Sequence, residues 1–436
     1  MQTKPDISLA MWWRAGVTGM VSYLDAAAIV TTSIALVIYL REWGNTALIG
    51  PLSGLLTLMI AVGAVVGGRL GDRYGRKTIF TLTMLIYIIG SAILVLAGGM
   101  PAIWCGIIIL GFAVGADLPV SLAMIAEEAP DGARAKLLQF SHMLWILGIA
   151  TTAALGAMFG HLGLSGGRWL YGHILLVSIA VLLARLTLSE SKEWLRAREL
   201  ERTRPAAAAA GIIASGAWKN LFRLPWLAAM VATGLFYSLA NISANTNGQF
   251  ATYIYTEIIG VSVSLASGLN LLNTCICFTF VLLFMRVVDG ENRFRWFLFA
   301  AALQVTGPLM VVIFGVQLPA MLTMLILCSI GGALAGEPMY KIWSQELFPT
   351  LLRSSAQGMT IAFTRVVAAV VALFTPQILS SGLRNLYIFI FIVMSAAMLI
   401  GIFWVARLPK ASVLQSRSAQ SDPSLTHQER KDHVTN

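Results

Sequence analysis

Charged residues are scarce in this 436-residue sequence: they make up 11% of it, whereas a soluble domain carries about 25%. Hydrophobic residues make up 58%, and they form long runs without a charge. A bilayer core about 30 Å thick needs about 20 apolar residues per helix. Twelve runs have about this length, near 16–40, 46–68, 77–98, 102–127, 136–160, 168–188, 226–251, 262–286, 295–316, 319–342, 356–380 and 385–406. The pattern predicts an all-α membrane protein with twelve transmembrane helices.

Cysteine is rare as well, and recognisable cofactor motifs are missing. The four cysteines all fall inside apolar runs, so we expect small buried hydrophobic residues rather than disulfides or zinc ligands. The sequence has no phosphate-binding loop with Gly-Lys-Ser/Thr, which argues against ATP drive. It also has no His, Asp and Glu cluster at metal or nucleophile spacing. We therefore predict no cofactor and disfavour a membrane enzyme.

The formal net charge of +10 is distributed unevenly along the chain. Of the 30 Lys and Arg residues, we assign 26 to one face of the membrane. Arg41, Arg168 and Arg384 fall on the other face, and Arg365 lies within a helix. Basic loops stay in the cytoplasm, so both termini are expected there. The charge thus indicates orientation in the membrane and not nucleic-acid binding. The absence of long loops fits a bacterial inner membrane.

A charged stretch followed by a Pro-Ala-rich stretch interrupts the apolar runs after the sixth of them. It divides the chain into an N-terminal six-helix bundle (1–188), a cytoplasmic linker (189–224) and a C-terminal six-helix bundle (225–408). The tail, 409–436, is rich in Ser, Gln and charge, and we expect it to be disordered. We expect the protein to act as a monomer in the lipid bilayer.

The two halves repeat the same short patterns. Glu127–Arg134 in the first half and Glu346–Arg353 in the second both read Glu, two residues, Pro, three residues, Arg. Asp72–Arg76 has a weaker partner at Asp289–Arg293, at nearly the same offset along the chain. These agreements indicate duplication of a six-helix unit. Duplicated bundles around a site at the bilayer midplane are typical of secondary transporters.

Three segments resemble the major facilitator superfamily and its sugar-porter branch. GGRLGDRYGRK (67–77) resembles the superfamily's signature loop between the second and third helices. LSESKEWL (188–195) and ELFPTLLRSSAQG (346–358) resemble sugar-porter motifs after the sixth and tenth helices. The resemblance implies two pseudo-symmetric six-helix bundles that work by alternating access. It also implies a sugar or metabolite:proton symporter.

In that family the signature loop latches the two halves at the cytoplasmic end. Gly67 and Gly68 would let helices approach closely, Gly75 would permit a tight turn, and Asp72 would face an Arg or a helix N-terminus. We expect Glu127 with Arg134, and Glu346 with Arg353, to join this network. The predicted gate comprises Gly68, Asp72, Arg73, Gly75, Arg76, Glu127, Arg134, Glu346 and Arg353. Alternatively, the loop only fixes the orientation of the chain.

Three acids lie inside apolar runs and are candidates for proton coupling: Asp25, Asp117 and Glu337. An unpaired charge at a helix centre costs about 2.5–3.5 kcal/mol on insertion scales, so such residues usually serve a function. Asp25 and Ile29 keep the spacing of a motif whose Asp takes up the proton in sugar porters. Asp25 could instead be a hydrogen-bonded structural residue. Asp117 and Glu337 either face the central cavity or cap backbone loosened by the prolines that follow them.

The symporters' Arg partner of that Asp is missing, because Ile107 stands in its place. Arg365 is the only basic residue that we place deep in the membrane. It could pair with Asp25 or Glu337, or it could bind an anionic substrate.

Candidate substrate-binding residues are His142, Arg365 and amides of the seventh run. His142 stands where sugar porters carry a sugar-binding Gln; it could also be a packing residue. Asn241, Asn245 and Gln249 are four residues apart and share one helical face. Amides and a neutral imidazole suit hydroxyl-rich ligands.

The sequence thus predicts proton-coupled symport of a small hydroxylated metabolite, a sugar or polyol. Two alternatives remain. One is an organic-anion:proton symporter with Arg365 as counter-ion. The other is a non-transporting nutrient sensor, since Ile107 leaves proton coupling open.

Overall fold

The computed structural model describes residues 7–130, 132–203, 217–255, 259–380 and 382–421. Within this part of the chain, eleven helical segments are long and apolar enough to cross a membrane. A twelfth helix contains a shorter apolar stretch, Gly268–Phe284. Twelve helices are therefore present where the apolar runs predicted them. Lipid offers no partner for backbone N–H and C=O groups, so each run satisfies them internally as a helix.

The helices form two groups of six. The first group, the N-bundle, is α1 (Leu9–Glu42), α2 (Ile49–Tyr74), α3 (Arg76–Val95), α4 (Met100–Glu128), α5 (Arg134–Phe159) and α6 (Leu164–Leu186). A shorter helix, α7 (Lys192–Thr203), follows it. The second group, the C-bundle, is α8 (Trp226–Tyr253), α9 (Val263–Phe284), α10 (Arg293–Phe314), α11 (Leu318–Gly332) with α12 (Glu337–Glu346), α13 (Thr350–Ser380) and α14 (Leu383–Phe403). The last helix in the described part of the chain is α15 (Ala411–Ser421).

The bundles meet where α2 packs on α13 and α5 packs on α9. Glycines bring the α2 backbone into contact with both of its neighbours. A Cβ on Gly67 would lie 2.3 Å from the carbonyl oxygen of Ala116 in α4. One on Gly68 would lie 2.3 Å from the carbonyl oxygen of Ser354 in α13. The expectation of close helix approach is confirmed, and so is the turn at Gly75, which has φ +102°.

The tenth apolar run is not one continuous helix, contrary to the prediction for 319–342. α11 ends at Gly332, and α12 begins after Gly336, which has φ +123°. The turn between them frees two carbonyl groups. Ala333 accepts a hydrogen bond from Gln139 Nε2 of α5 at 2.6 Å, and Ala335 accepts one from Gln304 Nε2 of α10 at 3.4 Å. Irregular backbone at membrane depth is tolerated where protein or a cavity surrounds it.

Two further expectations need correction. The segment 409–436 was expected to be disordered, yet α15 occupies part of it; residues 422–436 lie outside the described part. Cys105 and Cys275 are exposed on the helix surface, whereas buried cysteines were expected. An apolar run identifies a helix but not which of its faces turns toward lipid.

Candidate functional site

The signature loop closes one end of the molecule. We call this the basic end; it is the end at which residues 72–77, 190–193, 289–293 and 346–353 lie. Asp72 is buried and accepts hydrogen bonds from the backbone N–H groups of Ser354 at 3.2 Å and Ser355 at 2.7 Å, in the second turn of α13. Its Oδ1 also lies 2.6 Å from Arg76 Nη1. Asp72 therefore meets an Arg, as expected, and it also binds backbone N–H groups one turn inside the N-terminus of α13.

Arg76 connects the N-bundle to the C-bundle. Its fully buried guanidinium donates to Glu127 at 2.8 Å and to the carbonyl oxygen of Thr350 at 2.7 Å. Glu127 also lies 3.2 Å from Arg353 Nη1. Glu127 and Arg353 belong to different halves of the chain, so they form an ion pair between the two bundles.

Helix α7 bridges the same interface through a residue that the sequence analysis missed. Glu193 lies 3.3 Å from Arg134 and 3.1 Å from Arg353, and it accepts a hydrogen bond from Thr350 Oγ1 at 2.7 Å. Burial would raise the pKa of Glu193, but the guanidinium groups of Arg353 and Arg134 outweigh it and hold that pKa below its ordinary value of 4.5. The carboxylate thus stays charged and joins the two bundles.

The second half repeats the Asp72 contact in the opposite direction. Asp289 accepts hydrogen bonds from the backbone N–H groups of Ala135 and Lys136, both at 2.8 Å, in the first turn of α5. Ser354 and Ser355 are the repeat counterparts of Ala135 and Lys136, because each pair directly follows the Arg of its Glu-Pro-Arg pattern. The duplication is therefore visible as two related carboxylate contacts between the bundles.

Two of the predicted gate residues make no ion pair between the bundles among the described residues. Glu346 pairs with Arg293 at 2.8 Å and with Lys410 at 3.2 Å, both in the second half of the chain. Arg73 is exposed, and its guanidinium lies over the ring of Tyr74. Gly68, Asp72, Gly75, Arg76, Glu127, Arg134 and Arg353 do lie together at the bundle interface.

A cavity of about 310 Å³ lies between the bundles. α5 contributes His142 and Trp145, and the C-bundle contributes most of the wall. Its polar lining side chains are His142, Asn241, Ser243, Asn270, Asn273, Gln304, Ser329 and Glu337. Two of the predicted substrate residues, His142 and Asn241, are thus here. Asn245 and Gln249 lie outside the described side chains. The sequence analysis missed Asn270, Asn273 and Gln304, which are isolated polar residues on α9 and α10.

Asp25 lies behind the wall of this cavity. Its carboxylate is 3% exposed; Oδ2 accepts a hydrogen bond from Trp145 Nε1 at 3.1 Å. Oδ1 lies 3.6 Å from Arg365 Nη2 and accepts no hydrogen bond from the described residues. Arg365 belongs to α13, so this ion pair crosses the bundle interface. Ile107, which stands where symporters carry the Arg partner of this Asp, is buried. The cation that faces Asp25 therefore comes from the C-bundle and not from α4.

Glu337 begins α12 at the cavity wall and pairs with Lys341 at 2.9 Å. The sequence analysis assigned Lys341 to the basic face. It is instead buried, with 1% exposure, and its Nζ donates to Ser22 Oγ of α1 at 3.4 Å. The error arose because we assigned each Lys to a membrane face from its position near the end of an apolar run. Such an assignment overlooks that Lys341 lies one helical turn after Glu337, whose carboxylate neutralises it.

Asp117 lies apart from the cavity. It forms two hydrogen bonds with Arg185, at 2.7 and 2.9 Å, and accepts others from Thr83 and Ser121. Arg185 was assigned to the basic face but is fully buried, so Arg365 is not the only cation at depth. Asp117 was expected either to face the central cavity or to cap backbone near a proline; it does not line the cavity.

The comparisons with known proteins agree with this geometry. The family model for the Major Facilitator Superfamily matches residues 16–372. The minor myo-inositol transporter IolF of Bacillus subtilis (strain 168) is 29% identical over 410 residues, which are 92% of each chain. The glucose transporter GlcP of Staphylococcus epidermidis is 23% identical over 368 residues, covering 77% of this chain and 81% of that one.

Among solved structures, the proton:xylose symporter XylE bound to 6-bromo-6-deoxy-D-glucose aligns with a TM-score of 0.77, at 18% identity, over 93% of this chain and 97% of that one. The human organic anion transporter MFSD10 aligns with a TM-score of 0.69, also at 18% identity, over 91% and 100%. At these identities the structures show a shared fold. The family match over most of the chain shows that it belongs to the major facilitator superfamily: it is a multi-pass membrane transporter, and not an enzyme.

Proposed function

We propose that this transporter couples the uptake of a small hydroxylated metabolite, a sugar or polyol, to the influx of protons. The observation that carries the proposal is the position of the Asp25–Arg365 pair directly behind a cavity rich in amides and hydroxyls. Carboxamide and hydroxyl groups both donate and accept, as sugar hydroxyls do. A transporter of myo-inositol and one of glucose are among the relatives.

Asp25 is the proposed proton carrier. Its charge is supported by one hydrogen bond from Trp145 and a loose contact with Arg365, so proton uptake competes with few interactions. Protonation would release Arg365 and weaken a contact between the bundles. Trp145 stacks on His142 with ring centroids 5.6 Å apart, and both rings line the cavity. Protonation of Asp25 and binding of the substrate would thus both affect the rings of Trp145 and His142.

The contacts of the basic end are proposed to form the cytoplasmic gate. They include Asp72, Arg76, Glu127 and Arg353, which join the bundles in the closed arrangement. Opening by rocking of the bundles would break them. We infer that both termini are cytoplasmic in a bacterial inner membrane. We further infer that the chain divides at 1–188, 189–224 and 225–408, and that it acts as a monomer.

The organic-anion alternative has weaker support. The described lining of the cavity includes no Lys or Arg. Arg365 faces Asp25 and Lys341 faces Glu337, so both nearby cations already have a carboxylate partner. An anion would have to displace one of these carboxylates.

Uptake into proteoliposomes tests the proposal. Radiolabelled myo-inositol, D-glucose, D-xylose and succinate are each offered under an imposed pH gradient. We expect accumulation of at least one of the neutral compounds and none of succinate. Accumulation of succinate alone, abolished by Arg365→Ala, would establish the organic-anion function instead. If no compound moves in response to the gradient but binding is measurable, the nutrient-sensor alternative is favoured.

A further inference from the structure

Lys341 is a buried cation that the proposed mechanism does not use. Its side chain is buried and is not part of the cavity lining. Its partners among the described residues are Glu337 Oε1 at 2.9 Å and Ser22 Oγ at 3.4 Å. A buried charge at membrane depth is expensive unless it is paired, and intramembrane ionisable residues are functional by default. The burial of Lys341 therefore indicates that this residue has a function.

Lys341 and Glu337 stand next to the Asp25–Arg365 pair. Glu337 interacts electrostatically with both Lys341 and Arg365, and Asp25 interacts with Arg365, Glu337 and Lys341. Among the described residues, the other titratable groups that face this cluster are His142, Tyr237 and Tyr340 beside Glu337, and Tyr87 beside Asp25. Tyr237 also lies beside Arg365. With all four charged groups ionised, the cluster has no net charge.

A single proton changes this balance. Once Asp25 is neutral, Arg365 has lost its carboxylate, and two cations share Glu337. Glu337 lines the cavity, so any turn of its side chain from Lys341 toward Arg365 alters the surface that a substrate meets. Lys341 would then rely on Ser22, whose Oγ lies 2.7 Å from Ser141 Oγ between α1 and α5. Both serines belong to the N-bundle.

We propose that Lys341 is a positioning residue for coupling: it holds Glu337 while Asp25 is charged and gives it up to Arg365 when Asp25 is protonated. The pair Glu337–Lys341 then relays the proton's arrival to the cavity wall and, through Ser22, to the N-bundle. The proton itself stays on the Asp25 carboxylate, and no covalent bond is made or broken. This inference rests on the proposed function.

The test removes both charges of the pair at once, because removing one leaves the other buried and unpaired. Glu337→Gln/Lys341→Met is compared with the wild type and with Lys219→Met, which removes an exposed lysine outside the site. Exchange of radiolabelled substrate at equal pH reports alternating access. Accumulation under a gradient of one pH unit reports coupling, and 1:1 coupling supports about tenfold accumulation. The substrate is whichever of myo-inositol, D-glucose and D-xylose the wild type accumulates.

The expected result for the double variant is exchange without accumulation: the inside-to-outside ratio falls from about tenfold to one. Lys219→Met should match the wild type in both assays. Accumulation by the double variant equal to that of the wild type would overturn the role of the pair and leave the proposed function standing. If the wild type itself accumulates none of the three compounds, the proposed function fails and this inference fails with it.

A single variant distinguishes a specific effect on coupling from a general loss of folding. In Lys341→Gln, Glu337 lacks its counter-ion, so exchange should require a proton on Glu337 and persist at acid pH while falling at alkaline pH. Lys341→Arg should restore the wild-type pH profile. A purely structural lysine would instead lower exchange equally at every pH, and that result would contradict the proposal.

Discussion

The basic end and the centre of the molecule both hold carboxylates that join the two bundles, but among the described residues only the basic end repeats such a contact. At the basic end, Asp72 binds the second turn of α13, and Asp289 binds the first turn of α5. In the centre, Asp25 has no acidic counterpart, because the repeat offset leads to Ile, Ser and Ala at 242–244. Closure at the basic end thus uses both copies of the duplicated unit, whereas Asp25 in the centre is unique to one copy.

The difference separates two tasks. Closing one end of two rocking bundles involves both bundles in the same way, so a carboxylate contact that is present in both repeats can do it. Moving a proton and a substrate through one cavity is not symmetric. Glu337 shows this most directly: its approximate repeat partner, Asp117, is turned into the N-bundle against Arg185, while Glu337 lines the cavity.

The largest effect should come from breaking one of the two repeated contacts. Asp72→Ala removes a buried carboxylate beside Arg76 and should lower the free energy of unfolding by about 3–5 kcal/mol. Asp289→Ala removes a more exposed carboxylate at a helix N-terminus and should lower it by about 1 kcal/mol. Thermal unfolding in detergent checks both. Equal losses would show that the two contacts are energetically alike.

A bulkier α2 would sharpen the comparison at the bundle interface. A Cβ on Gly68 would meet the carbonyl oxygen of Ser354 at 2.3 Å, so Gly68→Ala should lower the free energy of unfolding by about 1–3 kcal/mol and favour opening of the basic end. Gly54→Ala is the matched control on the same helix, since a Cβ there meets nothing within 4 Å. Accessibility of a cysteine introduced at Thr350 reports the opening. A protected Thr350→Cys in the Gly68→Ala background would contradict this account.

The smallest effect is expected at Glu193, which is partly exposed. Glu193→Gln should lower the free energy of unfolding by about 1 kcal/mol. Because the folded pKa of Glu193 lies below 4.5, its contribution is present above pH 4.5 and is lost as the pH falls through that lower value. Unfolding curves measured across this acid range should therefore converge for wild type and variant. A difference in unfolding free energy that stays constant at every pH would show that the charge of the Glu193 carboxylate does not contribute to stability.

Much of the fold is readable from the sequence because a membrane span needs a long apolar run. The signature loop was also readable, since Gly68, Asp72, Gly75 and Arg76 form their turn and contacts at a fixed local spacing. His142 was placed near the cavity by its resemblance to a sugar-porter position, and Asn241 by the polar helical face that it shares with Asn245 and Gln249.

Pairing across the interface could not be read in this way. Glu127 meets Arg353, which lies in the other half of the chain, rather than the nearby Arg134. Lys341 and Arg185 were placed by their nearness to apolar-run ends, although each is neutralised by a buried acid on its own or a neighbouring helix. The break at Gly332–Gly336 was hidden as well, because small apolar residues suit a helix and a turn equally in a hydropathy pattern.

Proton flux tests the central proposal most directly. Proteoliposomes with an internal pH indicator receive substrate from outside, with no gradient imposed. For the wild type we predict acidification of the interior upon addition of myo-inositol or another transported polyol or sugar. For Asp25→Asn we predict none, while exchange of the radiolabelled compound continues. Substrate uptake by the wild type without acidification, or acidification that persists in Asp25→Asn, would contradict the account.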